Sequence, residues 1–371
     1  MKIETLSVHA GRKVDPNTKA VTPPIYLSTT YERESDGEYL KGYNYSRNSN
    51  PNRESLEECL AELEGGAEGM AFSSGSAAAM SIFQTLLPGD HVIATDDIYH
   101  GTRKLLKRFE AWNITSTFVD MTKPEEVKKA ISKNTKLFWI ESPTNPLLKI
   151  IDIKSISEIA HVNNSLVVCD NTWGTPVLQN PFKFGADLIV HATTKYIGGH
   201  SDILGGIVIS KSADLLYEKI RDIQKSGGAV PSPFECWLVL RGIQTLPIRV
   251  RAQSESAIKI AQFLSTHKKV EIVHYPGLEN HPGYAVASKQ MFKYGGMISL
   301  QVKGGEKEAM AVASKVKLFT RATSLGGPES LIEHRASIEG PESKTPKNLL
   351  RLSIGLEHPE DLIEDLSQAL S

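Results

Sequence analysis

The chain has little cysteine, no long hydrophobic run and almost no net charge, and each lack removes a class of function. Its three cysteines, Cys59, Cys169 and Cys236, are an odd number without CxxC spacing. That argues against a disulfide framework or a zinc site and fits a reducing compartment in which thiols serve as small buried hydrophobes. No uninterrupted apolar stretch is long enough to cross a bilayer, and Met1 to Gly11 carry polar and charged residues where a signal peptide would need an apolar core. The expectation is a cytoplasmic protein with no membrane partner. A formal net charge of -1, without a run of basic residues, leaves nothing to follow a phosphodiester backbone, so nucleic acid is excluded as a partner. Any anionic ligand must be met locally.

What remains is the composition of a soluble globular protein. The 371 residues are 40% hydrophobic and 23% charged, enough for two domains. Residues 1–50 hold proline pairs and tyrosines without helical periodicity and read as an extended arm that packs on something else. From Arg53 the pattern is helical to Glu64, stopped by Gly65-Gly66. Short apolar runs then begin at Met70, His91, Ile114, Leu137, Leu166, Leu188 and Gly206, alternating with helix-like segments. This predicts an α/β domain with a mostly parallel sheet over 51–246. After Pro247 the pattern changes to one long helix and shorter strands near 270–274, 297–302 and 349–354, predicting a smaller α+β domain over 247–371.

Ligands of open α/β sheets sit beyond the carboxyl ends of the strands, and the polar motifs fall there. Asp170 ends one apolar run and Lys195 follows another, in His191-Ala192-Thr193-Thr194-Lys195-Tyr196. An amine and a carboxylate delivered to one crevice are what pyridoxal 5'-phosphate requires: the amine condenses with the aldehyde and the carboxylate keeps the ring nitrogen protonated. Ser73-Ser74-Gly75-Ser76, between a strand and a helix start, offers free N–H groups for a phosphate, or is only an N-cap turn. Tyr99 can stack on a flat ring and move protons, or anchor a loop. Two prolines fix Asn145, whose amide can bind a carboxylate, unless Glu141 to Pro146 is merely a stiff turn. Arg351, among apolar residues, needs an anion: a substrate carboxylate or an internal salt bridge. His200 and Asp202 lack a third ligand, so no metal is expected.

Together these motifs resemble the Cys/Met-metabolism family of pyridoxal-phosphate enzymes, the cystathionine gamma-synthases, gamma-lyases and beta-lyases and the methionine gamma-lyases. The resemblance runs from Thr5-Leu6-Ser7-Val8-His9-Ala10-Gly11 through Tyr43-Asn44-Tyr45-Ser46-Arg47 and Gly199-His200-Ser201-Asp202 to Arg351-Leu352-Ser353-Ile354-Gly355. It implies a fold-type I transferase in which Lys195 holds the cofactor and shuttles protons, Asp170 pairs with the ring nitrogen and Tyr99 stacks on the ring. It further implies that Gly75, Ser76 and Thr194 hold the phosphate, and that Asn145, Ser324 and Arg351 bind the substrate carboxylate. Tyr45 and Arg47 resemble phosphate contacts donated by a neighbouring subunit, which implies a homodimer with shared sites, usually within a homotetramer.

Three positions and one stretch depart from the family pattern. Ala192 stands where many relatives have a serine phosphate ligand, with Thr193 as a possible replacement. Gly101 replaces the cysteine typical of methionine gamma-lyases, which makes methionine a poorer candidate. Thr323 replaces a glutamate frequent in gamma-synthases and gamma-lyases. Arg335 to Gly340 replaces a proline and a Met-Thr-His stretch, so a different substrate entrance is expected. The expected activity is gamma-replacement or gamma-elimination on cystathionine or an O-acylhomoserine, with beta-elimination as runner-up. A catalytically silent binding module and a cofactor-free lysine aldolase are the alternatives from other classes.

Overall fold

A computed structural model describes residues 1–340 and 343–371. Strands rich in β-branched residues stack into two sheets. The larger contains β1 (Glu68–Phe72), β2 (His91–Thr95), β3 (Thr115–Val119), β4 (Thr135–Glu141), β5 (Leu166–Asp170), β6 (Leu188–His191) and β7 (Gly206–Ser210) in the order β1-β7-β6-β5-β4-β2-β3. All neighbours run parallel except β7, which is antiparallel to both β1 and β6. Strands β2, β6 and β7 are buried along their whole length and β4 at every residue but Lys136, as expected for a sheet covered by helices on both faces. The smaller sheet contains β8 (Val270–His274), β9 (Met297–Val302), β10 (Thr320–Arg321), β11 (Leu331–His334) and β12 (Leu349–Ser353), ordered β10-β11-β12-β9-β8. Its core is capped by Ala257, Ile260, Ala261 and Leu264, spaced on one face of the long helix Leu246–Thr266.

Two expectations need correction. Within residues 1–50 a short helix forms at Ile3–His9, its Ile3 and Leu6 packed on the main core. Seven residues are too few for a periodic signal. Strands β10 and β11 were not foreseen either, being only two and four residues long. The rest of the arm is extended and partly tied down: Asn52 donates to Pro24 O at 2.8 Å, and Trp237 Nε1 donates to Pro23 O at 3.0 Å. Among the described residues no helix is long and apolar enough to cross a membrane.

The geometry of β1, β2, β4, β5 and β6 brings their carboxyl ends to one edge of the sheet. There Gly206, opening β7 opposite Phe72, lies against the turn after β1. A Cβ at Gly206 would stand 2.3 Å from Ser74 O and 2.7 Å from Gly75 Cα, so only glycine lets the turn sit there.

Candidate active site

At that edge a cavity of about 510 Å³ collects residues from both sheets, a volume suited to a cofactor together with a small substrate. Gly75, Ser76, Tyr99, Asn145, Asp170, Thr194, Lys195, Ser324 and Arg351 all line it. Tyr45 and Arg47 do not line the cavity of their own chain; Arg47 Nη1 instead donates to Lys225 O at 2.6 Å.

Lys195 Nζ donates to Ser324 Oγ at 2.8 Å. Burial, with the Arg351 cation nearby, pulls the amine down to about 8, so a useful fraction is neutral at physiological pH. Asp170 ends β5. Burial raises its carboxyl, opposed by bonds from Thr172, whose backbone N–H reaches Oδ1 at 3.0 Å, and by His191. Among the described residues Asp170 has no ion-pair partner, so a buried carboxylate opens onto the cavity without a countercharge. A protonated ring nitrogen is a group of the right sign for it.

Ser74 caps the helix Gly75–Phe83, its hydroxyl accepting from Ala77 N at 3.1 Å. The N-cap reading of this turn is therefore present. It is compatible with an anion site, because the first N–H groups of a helix have no intrahelical acceptor. Thr194 Oγ1 accepts from Gly205 N at 3.0 Å, which fixes its hydroxyl beside that helix start. Thr193 is buried and away from the cavity lining, so it does not substitute for the missing serine at Ala192.

Tyr99 is positioned from behind: Glu141, at the end of β4, accepts its backbone N–H at 2.9 Å. Burial, then the nearby Asp170, holds the Glu141 carboxyl well above the usual range. The ring of Tyr99 folds over Gly101, where a Cβ would lie 2.4 Å from Cε1. A side chain at 101 would displace that ring.

Arg351, in β12, is almost fully buried. Its Nη1 donates to Asn145 Oδ1 at 2.9 Å, its Nη2 donates to Ser324 O at 3.3 Å and pairs with Glu333 of β11, and its guanidinium lies 5.8 Å from the Trp173 ring centre. Burial pulls it down to about 10, leaving it cationic at neutral pH. The internal salt bridge is thus real, and it coexists with a place in the cavity wall. Sequence reasoning missed Glu333, a charge within the apolar Leu331-Ile332-Glu333-His334 that carried the same signal as Arg351. It expected the stretch Arg335 to Gly340 at the substrate entrance without naming Arg335 or Glu339 individually, and Arg335, Ile338 and Glu339 of that stretch line the cavity. His200 bonds only its own loop, Nδ1 to Gly198 O at 2.9 Å, and no described residues form a group of three possible metal ligands.

Similarity to known proteins extends over nearly the whole chain. The family described as Cys/Met metabolism PLP-dependent enzyme matches residues 4–371. The chain is 44% identical to a cystathionine beta-lyase of Coxiella burnetii over 378 residues, covering 99% of this chain and 97% of that protein. It is 45% identical to a cystathionine gamma-synthase of Mycobacterium leprae over 376 residues, covering 100% and 97%. The crystal structure of metB from Corynebacterium glutamicum superposes with a TM-score of 0.97 at 44% identity, covering 100% of this chain and 98% of that one. The cavity, its amine and its unpartnered carboxylate fit pyridoxal phosphate, and the chain belongs to the Cys/Met-metabolism family of pyridoxal-phosphate-dependent transsulfuration enzymes.

Proposed function

We propose that the chain catalyses gamma-replacement or gamma-elimination on cystathionine or an O-acylhomoserine. The observation that carries this reading is the position of Lys195. Its amine has one side-chain hydrogen-bond partner, Ser324, in a cavity that also holds Asp170 and the Arg351–Asn145 pair. A long, weakly tethered and partly neutral amine can reach both the alpha and the beta carbon of one substrate, as gamma chemistry demands.

Arg351 and Asn145 bind the substrate carboxylate, which sets the alpha C–H toward Lys195. Lys195 Nζ takes the alpha proton and would give it up to the cofactor-derived carbon next to the substrate nitrogen, which frees the amine to take the beta proton and to return that proton when the gamma substituent has left. Tyr99 packs its ring over the reacting plane and is held there by Glu141. Asp170 supplies negative charge at the far side, and the first N–H groups of the Gly75–Phe83 helix with Thr194 hold a phosphate. The chemistry contributed by bound pyridoxal phosphate is an electron-poor ring that accommodates the electron pair left on the alpha carbon.

The chain is organised as an arm over 1–50, a cofactor domain over 51–246 and a C-terminal domain over 247–371, and it works in the cytoplasm. Tyr45 and Arg47 serve the cavity of a second copy in a homodimer, which pairs into a homotetramer. Arm residues Val21, Leu27 and Leu40 are 83%, 70% and 67% exposed, apolar surface that a partner would cover.

Purified holoenzyme is supplied separately with cystathionine, with O-acetyl- and O-succinylhomoserine plus cysteine, with methionine and with cysteine, and products are identified by mass. Cysteine, 2-oxobutyrate and ammonia from cystathionine, or cystathionine from an ester, support the reading. Homocysteine and pyruvate from cystathionine as the main products would replace it with beta-elimination, the activity in the name of the Coxiella burnetii relative.

A further inference from the structure

Two guanidinium groups face the Lys195 cavity. The second belongs to Arg335, which opens the helix Arg335–Glu339 directly after β11, is only 4% exposed and lines the wall with Ile338 and Glu339. It is braced from behind. Nε donates to Glu339 Oε1 at 2.9 Å and Nη1 donates to Glu333 Oε1 at 3.4 Å. Glu339 is itself consumed as a brace, because Oε2 accepts from Ser343 at 2.6 Å and Thr345 at 2.8 Å. Arg351 takes the same Glu333 oxygen from the other side, so a single carboxylate oxygen sets the spacing of the two guanidinium groups.

Among the described residues nothing accepts a hydrogen bond from Arg335 Nη2. Unlike Arg53 Nε, which is enclosed without an acceptor, Arg335 Nη2 is not sealed inside the protein, and in a residue that lines the cavity it is a donor available to a ligand. Lys104, on the helix His100–Phe109, lines the same cavity and forms no ion pair among the described residues. His100 also stands at this wall, and burial followed by Lys104 lowers its basicity, with Arg335 adding in the same direction. The cationic groups converge on one wall.

We propose that Arg335, supported by Lys104, is the specificity-determining receptor for a carboxylate at the far end of the substrate's gamma substituent. The preferred substrates are then amino acids that end in a second carboxylate. This rests on the reading that Arg351 takes the alpha carboxylate of a gamma-substituted amino acid.

The test uses the holoenzyme and straight-chain dicarboxylates of four to eight carbons, each against the monocarboxylate of equal length, by calorimetry. At the best length the wild type binds the dicarboxylate roughly tenfold to 150-fold tighter, the range for one charge-assisted hydrogen bond. The preference disappears in Arg335→Met and partly returns in Arg335→Lys. In parallel, the ratio of kcat/KM for O-succinylhomoserine over O-acetylhomoserine falls by a similar factor in Arg335→Met. A purely structural role would lower both values together and leave the ratio unchanged.

No dicarboxylate preference in the wild type, or one retained in Arg335→Met, overturns the proposal. If Arg335→Met does not fold, Ile338→Glu places a competing carboxylate beside Arg335 and must abolish the preference; its survival there also overturns the proposal. A dicarboxylate preference with no turnover of either ester and no cysteine and 2-oxobutyrate from cystathionine supports the receptor while refuting the gamma chemistry.

Discussion

The depressed basicity of Lys195 can be measured without any substrate. Burial and the Arg351 cation bring its amine from 10.5 down to about 8. At pH 7 the neutral fraction is then about 9%, against about 0.03% for an unperturbed lysine, roughly a 300-fold enrichment. Trace acetylation of the cofactor-free protein from about pH 6 to 11, read by peptide mass spectrometry, should give Lys195 a reactivity midpoint near 8. Arg351→Met removes the neighbouring cation and leaves Glu333 with less compensation, and both changes move the midpoint up. The sign carries over to stability. The folded value lies below the unfolded one, so the cost of burying the charged amine is fully present below pH 8 and vanishes as pH rises towards 10.5. Over that window the cofactor-free protein gains up to ~3 kcal/mol from this group. A wild-type midpoint at the ordinary lysine value, or no upward shift in Arg351→Met, would refute the electrostatic account of this amine.

Three further predictions follow from the same geometry. Asp170→Asn removes a buried carboxylate that has no cationic partner among the described residues. It should leave the cofactor-free protein as stable as wild type or more so in urea, while cofactor affinity by absorbance titration falls roughly tenfold to 150-fold. Gly206→Ala drives a methyl group into Ser74 O and Gly75 Cα. It should cost about 1–3 kcal/mol in thermal unfolding and loosen cofactor binding, whereas wild-type retention of cofactor would show that the turn after β1 is not part of the site. Lys195→Ala and Arg47→Ala chains, each inactive alone, should recover about a quarter of wild-type activity when unfolded and refolded together. Half of the dimers are then mixed, and each mixed dimer has one intact site. No recovery would place Arg47 in its own chain's function.

Much of the larger sheet was legible because its strands are short apolar runs bounded by turn residues, and His91–Thr95 falls on the expected residues. The same logic placed Asp170, Lys195 and Tyr99 beyond strand ends, and the cavity contains all three. The second sheet was read less completely. β11 is four residues long and carries Glu333, whose charge masks the apolar pattern although its side chain is buried against Arg351 and Arg335. The departure from the family pattern at Arg335 to Gly340 pointed to the substrate entrance, but the part played by Arg335 itself depends on the helix after β11 lining the cavity with Lys195, a tertiary fact. The helix Ile3–His9 is held by packing of Ile3 and Leu6 and by an ion pair from Glu4 to Arg251, far away in sequence.

The central claim is that Lys195 and Asp170 stand at opposite ends of one bound pyridoxal phosphate. Borohydride reduction of the holoenzyme, followed by proteolysis and peptide mass mapping, tests the lysine directly. The account predicts a single modified peptide with the reduced cofactor on Lys195. Modification of a different lysine, or a protein that carries cofactor yet shows no covalent attachment after reduction, would contradict it.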